Sequence, residues 1–277
     1  MAYDGTEYSG SQRQPDKRTI QGELESAVAT VARRPISVEL AGRTDAGVHA
    51  LGQVASFEDS RSGLEKSRLV VALNAVLPKD ISVHSAEWVS AGFDPRRCAK
   101  WRAYQYRICN GPANPLERRH ALTVSQPLVV AAMAEAAGRF AGVHDLSSFC
   151  GLGSGVPWSK RKVIGRGAVR HIYSCSVRNT GQTGITIDVA GDAFLPNQVR
   201  TMVGALLEVG RSKRDPDWVT RLLCDKDRRL GPGTAPPHGL ILMQVGYTEF
   251  EGDSGAERIG AGATQGLVDD GSTNLFS

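Results

Sequence analysis

No apolar run in this 277-residue chain approaches 18 residues, which excludes a membrane-spanning helix. Cysteine is scarce. The five residues (Cys98, Cys109, Cys150, Cys175, Cys224) are widely spaced, with no C-x-x-C and no Cys/His cluster at zinc spacing. Neither a structural zinc nor a disulfide framework is expected, and the thiols read as buried groups in a reducing cytoplasm. Residues 1–10 have neither a basic n-region nor an apolar h-region, so no secretory signal is expected. Also missing are the phosphate loop G-x-x-x-x-G-K-[ST], the G-x-S-x-G elbow, and the deaminase pattern of H-x-E with P-C-x-x-C. Gly151, Gly153 and Gly155 form a G-x-G-x-G run, but no strand–helix context surrounds it and a flexible loop explains it better. Nothing in the chain points to ATP, a metal or a nicotinamide.

What is present is positive charge, unevenly spread. The net charge of +4 conceals an acidic end, because six acids and one base, Arg258, lie from Glu249 onward. Without them the body holds 32 basic and 23 acidic residues and carries +9, the balance of a polyanion-binding protein. Two stretches concentrate it. Arg96, Arg97, Lys100, Trp101, Arg102, Tyr104, Tyr106 and Arg107 interleave bases with aromatics, which suits RNA phosphates and unstacked bases. Residues 158–178 add Lys160, Arg161, Lys162, Arg166, Arg170 and Arg178 without an acid. A solvated face is the plainer explanation of either run alone.

Hydrophobic periodicity predicts helices over residues 19–34, 64–77, 128–142, 195–209 and 217–223, and strands at 36–40, 54–57, 81–89, 103–108, 168–177, 184–189 and 240–247. The break at Gly111, Pro112, Asn114 and Pro115 places a boundary near residue 110. The expected organisation is an N-terminal half (1–110), a C-terminal half (111–248) and an acidic, disordered tail (249–277). Helices alternate with strands in two similar halves, so the class is α+β or α/β.

Between two predicted strands lies Ala41-Gly42-Arg43-Thr44-Asp45-Ala46-Gly47-Val48-His49. Its glycines allow a tight turn and the close approach of a ligand. Asp45 at the tip suits a nucleophile or general base, or simply an Asx turn. His49 is a weaker candidate. Arg200 borders the apolar stripe of Val199, Met202, Val203 and Leu206 on its helix. A guanidinium near a core calls for a carboxylate, with Asp45 and Asp192 as candidates, unless it snorkels to solvent.

Taken in order, these features resemble the tRNA pseudouridine synthase A family, from about Tyr3 to Tyr247. The family's opening Y-D-G-x-x-Y-x-G-x-Q-R-Q stands at residues 3–14 and its loop A-G-R-T-D-A-G-V-H at 41–49. N-A-N-L-P is met by Asn74-Ala75-Val76-Leu77-Pro78 and K/R-x-Y-x-Y by Arg102-Ala103-Tyr104-Gln105-Tyr106. The turn H/N-D-x-x-S-F lies at residues 144–149, and A-F-L-x-x-x-V-R-x-x-V-G at 193–204. The resemblance implies a pseudouridine synthase fold of class α+β, two similar sheet-and-helix halves around a basic cleft. It implies a cytoplasmic homodimer that isomerises uridine to pseudouridine at positions 38 to 40 of tRNA, with no cofactor and no metal. Asp45 would be the nucleophile, Tyr104 and Arg43 would contact the flipped nucleotide, and Arg200 would pair with Asp45. A catalytically inactive tRNA-binding or RNA-folding protein on the same scaffold is the alternative.

The chain departs from the pattern in three places. The family's apolar strand before Y-D-G has no counterpart ahead of Tyr3, which suggests a start further upstream. Ser11 replaces the usual Trp, and Asp192 the usual Asn.

Overall fold

A computed structural model describes residues 1–58, 65–150 and 167–251. The Gly151–Gly155 run, four bases of the second basic stretch (Lys160, Arg161, Lys162, Arg166) and all but the start of the acidic tail lie outside those residues. The first helix, α1 (Ile20–Ala32), starts where the Thr19 side chain accepts a bond from the Gly22 N–H at 3.3 Å. It buries Ile20, Leu24, Ala27 and Val28. The helix α2 (Lys66–Val76) ends before Pro78, α3 is Val130–Gly138, α4 is Gln198–Gly210 and α5 is Asp217–Asp225. Of these, α4 is buried almost all round, with only Arg200 and Glu208 less than buried.

The strands are β1 (Ala2–Tyr3), β2 (Glu39–Leu40), β3 (His49–Ala50), β4 (Ala55–Ser56), β5 (Ile81–Ser82), β6 (Trp101–Asn110), β7 (Leu122–Val124), β8 (Gly142–Asp145), β9 (Val169–Thr180), β10 (Gly184–Gly191) and β11 (Leu240–Gly246). Nine form one sheet in the order β5-β1-β3-β11-β6-β10-β9-β8, with β7 continuing beside β6. The pairs β11–β3 and β6–β7 are parallel; the others are antiparallel. The sheet crosses residue 110 unbroken, because β11 of the C-terminal half lies between β3 and β6 of the N-terminal half. This mixed sheet with packed helices is the α+β class expected.

The strand expected over 36–40 shortens to β2, the helix expected over 128–142 ends at Gly138 ahead of β8, and two further expectations change for a visible cause. The strand expected over 81–89 stops at Ser82, because the Asn74 amide takes both polar groups of Val83: Nδ2 donates to its carbonyl (2.7 Å) and Oδ1 accepts its N–H (2.8 Å). The helix expected from residue 195 begins at Gln198, because Asn197 adopts a left-handed conformation at φ 60°, which asparagine tolerates better than most residues. The strands β2 and β4 pair as a separate two-stranded ribbon. Between them the chain leaves the ribbon, loops through residues 41–48, and enters the main sheet at β3.

Candidate active site

The loop at residues 41–48 turns at Gly47, which has φ 76°, and the Val48 N–H closes the turn on the Asp45 carbonyl at 3.1 Å. Its return strand passes so close to Gly5 that a Cβ there would strike the Val48 carbonyl. The loop forms one wall of a cleft of about 1020 Å³, whose other walls come from the Arg96 stretch, β6 and the entry to α4. Six arginines and three carboxylates line it. The cleft is basic, as the charge arithmetic of the body suggested.

Asp45 stands in this cleft with its side chain 38% exposed, while that of Arg200 is 15% exposed. Nη1 of Arg200 donates to Oδ2 of Asp45 at 2.9 Å and to Oδ1 of Asn197 at 2.7 Å. Its Nε donates to the Ala235 carbonyl at 2.8 Å. The guanidinium is thus anchored on two sides and presents a fixed donor to one carboxylate oxygen. Oδ1 of Asp45 has no hydrogen-bond partner among the described residues. Of the two candidate partners for Arg200, Asp45 is the one it meets. Asp192 accepts the His171 N–H at 3.2 Å instead.

Tyr104 lies beneath the same cleft with its ring edge-on to Phe194, centroids 5.3 Å apart. Its hydroxyl has no hydrogen-bond partner among the described residues. Burial raises the phenol above its ordinary range, so it stays protonated at neutral pH and can donate. Arg43 is exposed on the loop, and burial and then the neighbouring Arg96 pull its guanidinium down. Two close cations without a shared carboxylate suit a phosphate.

The aromatic-basic stretch is divided by strand alternation. Arg96, Arg97, Arg102 and Tyr104 line the cleft. Tyr106 is core, its hydroxyl donating to the Pro236 carbonyl at 2.9 Å. Trp101 and Arg107 fall on the opposite face of β6 from Tyr104 and Tyr106. Arg102, half-buried, makes all four of its hydrogen bonds to carbonyls, of Ala41, Arg96, Ala99 and Asp192. It stitches the loop to the basic stretch and to the end of β10 while keeping its charge.

His49 faces away from the cleft. It is buried beside the half-buried Asp4 and His120, and the ligand-type atoms of the three lie within 4.8 Å of one another. The trio has the chemistry of a metal site, but His49 is fully committed to hydrogen bonds. Its Nδ1 accepts the Gly5 N–H at 3.1 Å, and its Nε2 faces the carbonyls of Arg119 (2.8 Å) and His238 (3.2 Å). Burial pushes this imidazole below its usual value, so it is neutral at pH 7. It ties the loop to the rest of the fold.

Four side chains escaped sequence reasoning as a set: Tyr3, Ser11 and Gln53, which touch this loop, and Asn197, which accepts from Arg200. A glutamine three residues past a strand looks solvated, and only its 1% exposure in the fold marks it.

A family model described as tRNA pseudouridine synthase matches residues 1–96 and 136–248. The chain is 43% identical to the tRNA pseudouridine synthase A of an Exiguobacterium species over 251 residues, 91% of this chain and 97% of that protein. It is 39% identical to the tRNA pseudouridine synthase A of Myxococcus xanthus over 272 residues, covering 98% of this chain and 97% of that protein. The Streptomyces avermitilis protein of the same name is 40% identical over 259 residues.

Proposed function

Since the chain belongs to the tRNA pseudouridine synthase family, we propose that the cleft at Asp45 is where it converts uridine to pseudouridine in tRNA. The protein is an isomerase of the pseudouridine synthase class acting on tRNA. The finer reading is that it modifies positions 38, 39 and 40 of the anticodon stem-loop. The observation that carries the site assignment is the Asp45–Arg200 pair, a carboxylate held at 2.9 Å through one oxygen and open to the cleft through the other.

The reaction cleaves the N1–C1′ bond, turns the uracil, joins C1′ to C5, and moves the C5 proton to N1. Atoms and oxidation state are conserved, so the balance requires no co-reactant. A base inside a helical stem must first be extruded, which costs a few kcal/mol of unstacking. Arg43 and Arg96 meet the displaced backbone, and Tyr104 offers a ring face and a hydroxyl to the base. Asp45 is the nucleophile, and Arg200 orients its carboxylate toward the cleft.

Asp45→Asn tests this reading against the alternative of an inactive tRNA-binding scaffold. The variant should lose pseudouridine formation by about 10⁴-fold or more. Its dissociation constant for tRNA should stay within about twofold, because the phosphate-binding arginines are untouched. Unchanged modification in the variant would sink the assignment.

We also read the chain as a cytoplasmic homodimer of two-half subunits. Trp101, Ala103, Gln105 and Arg107 occupy the β6 face opposite buried Tyr104, Tyr106 and Ile108, and all four are only partly buried. A sheet face left partly open suits a second copy. Sedimentation equilibrium should give twice the chain mass, and a monomer at micromolar concentration would refute it.

A further inference from the structure

The loop that carries Asp45 has no ladder to hold it, since β2 ends at Leu40 and β3 begins at His49. Its buried polar groups must be paired some other way. Side chains provide the partners. Oε1 of Gln53 accepts the Gly42 N–H at 3.0 Å, and Nε2 donates to the Gly42 carbonyl at 2.8 Å. The amide of Gln53 therefore imitates a neighbouring peptide group and gives Gly42 both bonds a strand would give. Oε1 also accepts the Val54 N–H at 3.2 Å, and the second Nε2 hydrogen goes to the Tyr3 hydroxyl, also at 3.2 Å. All four hydrogen-bonding capacities of Gln53 are used. A flipped amide would set its donors against the N–H groups of Gly42 and Val54, so only one orientation fits.

The network continues toward Asp45. The Tyr3 hydroxyl, which accepts from Gln53, also shares a hydrogen bond with Thr44 Oγ1 at 2.8 Å. Thr44 N–H donates to Ser11 Oγ at 2.8 Å, and Ser11 N–H donates back to the Thr44 carbonyl at 3.0 Å. Ser11, Gln53 and Tyr3 are 0%, 1% and 4% exposed. Every backbone polar group of Gly42 and Thr44 is thereby fixed, and Thr44 is the residue before Asp45. Ser11 makes its part of this network at the position where the family pattern has Trp, whose indole has no oxygen to accept the Thr44 N–H.

We infer that Gln53, acting through Tyr3 and Thr44, is a positioning residue for the reaction: its amide sets the loop so that the Asp45 carboxylate reaches the ribose. Gln53 and Tyr3 lie outside the lining of the cleft. The inference rests on the reading of Asp45 as the reacting carboxylate. A displacement of about 1 Å at a reacting group costs on the order of a hundredfold in rate.

The test uses the full chain, unmodified tRNA, and pseudouridine formation read as separate kcat and KM. Gln53→Glu is nearly isosteric but turns an oxygen toward the Gly42 carbonyl and the Tyr3 hydroxyl. It should lower kcat by about ten- to a hundredfold and leave KM within about threefold. Tyr3→Phe removes a single hydroxyl and should lower kcat several-fold with KM unchanged. A structural role alone would lower the melting temperature and leave kcat intact well below it. Wild-type kcat in folded Tyr3→Phe, or a rise in KM in place of a fall in kcat, overturns the inference. If Gln53→Glu fails to fold, Tyr3→Phe alone decides. Asp45→Asn run alongside separates the two levels. If it is inactive while the Tyr3 and Gln53 variants keep wild-type kcat, only the positioning role falls. If it stays active, the reading of Asp45 falls, and the positioning role with it.

Discussion

Two carboxylate clusters sit at the tip and the base of one eight-residue loop, and they use their charge differently. At the tip, Asp45 meets Arg200 through Oδ2 and faces a large basic cleft with Oδ1. At the base, Asp4 meets His49 at 3.1 Å and His120 at 3.2 Å, and its Oδ1 also accepts both the N–H and the hydroxyl of Thr6. Judged by residue types, the second cluster looks the more reactive, with two imidazoles and a carboxylate within metal-binding distance. The geometry reverses that ranking. Both nitrogens of His49 and one oxygen of Asp4 are already satisfied, whereas Asp45 keeps an oxygen for a substrate. On the reading proposed for Asp45, an unspent hydrogen-bonding capacity facing a cavity marks the site of reaction. A spent one marks a strut.

The comparison breaks most visibly at Arg200. Arg200→Lys keeps the charge but loses the fork that binds Asp45, Asn197 and Ala235 together. The expected result is a loss of about a hundredfold in kcat, with tRNA affinity within about threefold. A lysine variant with wild-type kcat would mean that Asp45 needs only a nearby positive charge. At the strut, the same logic forecasts an effect on stability and none on rate. His49→Gln removes the ring and part of its hydrogen bonding, at a cost of about 2 kcal/mol. For a chain of this size that lowers the melting temperature by roughly 4–8 °C. The kcat at 25 °C should be unchanged, and a tenfold loss there would show the strut to be part of the reaction.

The tip was legible in the sequence and its support was not. Asp45 and Arg200 stand in motifs whose residue types announce chemistry, and apolar spacing placed α4 to within three residues of its start. Gln53 and Tyr3 carry no such mark. A glutamine after a glycine is usually solvated; this one is buried against Gly42, where β11 also brings Leu242, its Cδ2 3.2 Å from where a Gly42 Cβ would lie. That contact joins residues 200 apart, beyond any local pattern. The shortened β5 has the same kind of cause. Asn74, one turn from the end of α2, reaches across to Val83 and ends the ladder, which no alternation of apolar residues within 81–89 could foretell.

The smallest effect, and the one most specific to the strut, is in the pH dependence of stability. Burial holds His49 below the ordinary histidine value of 6.5, and nearby Asp4 opposes that only in part. Between 6.5 and the lower folded value, the unfolded chain binds a proton that the folded chain refuses, so stability falls as pH drops through that window. Above 6.5 the contribution is complete. Burial depresses His84 and His238 as well, with the same sign. Asp4 adds a separate loss at more acid pH: burial would raise it, but two bonds from Thr6, and then the nearby charge of the two imidazoles, outweigh that and hold it below 3.8. Denaturant midpoints measured from pH 7.5 to 5 should therefore slope downward in the wild type. His49→Gln should flatten that slope by its own share and leave the shares of His84 and His238. An unaltered slope would mean that His49 takes up its proton in the folded state, and Asp4 would then be holding a cation at the strut just as Arg200 holds a carboxylate at the tip.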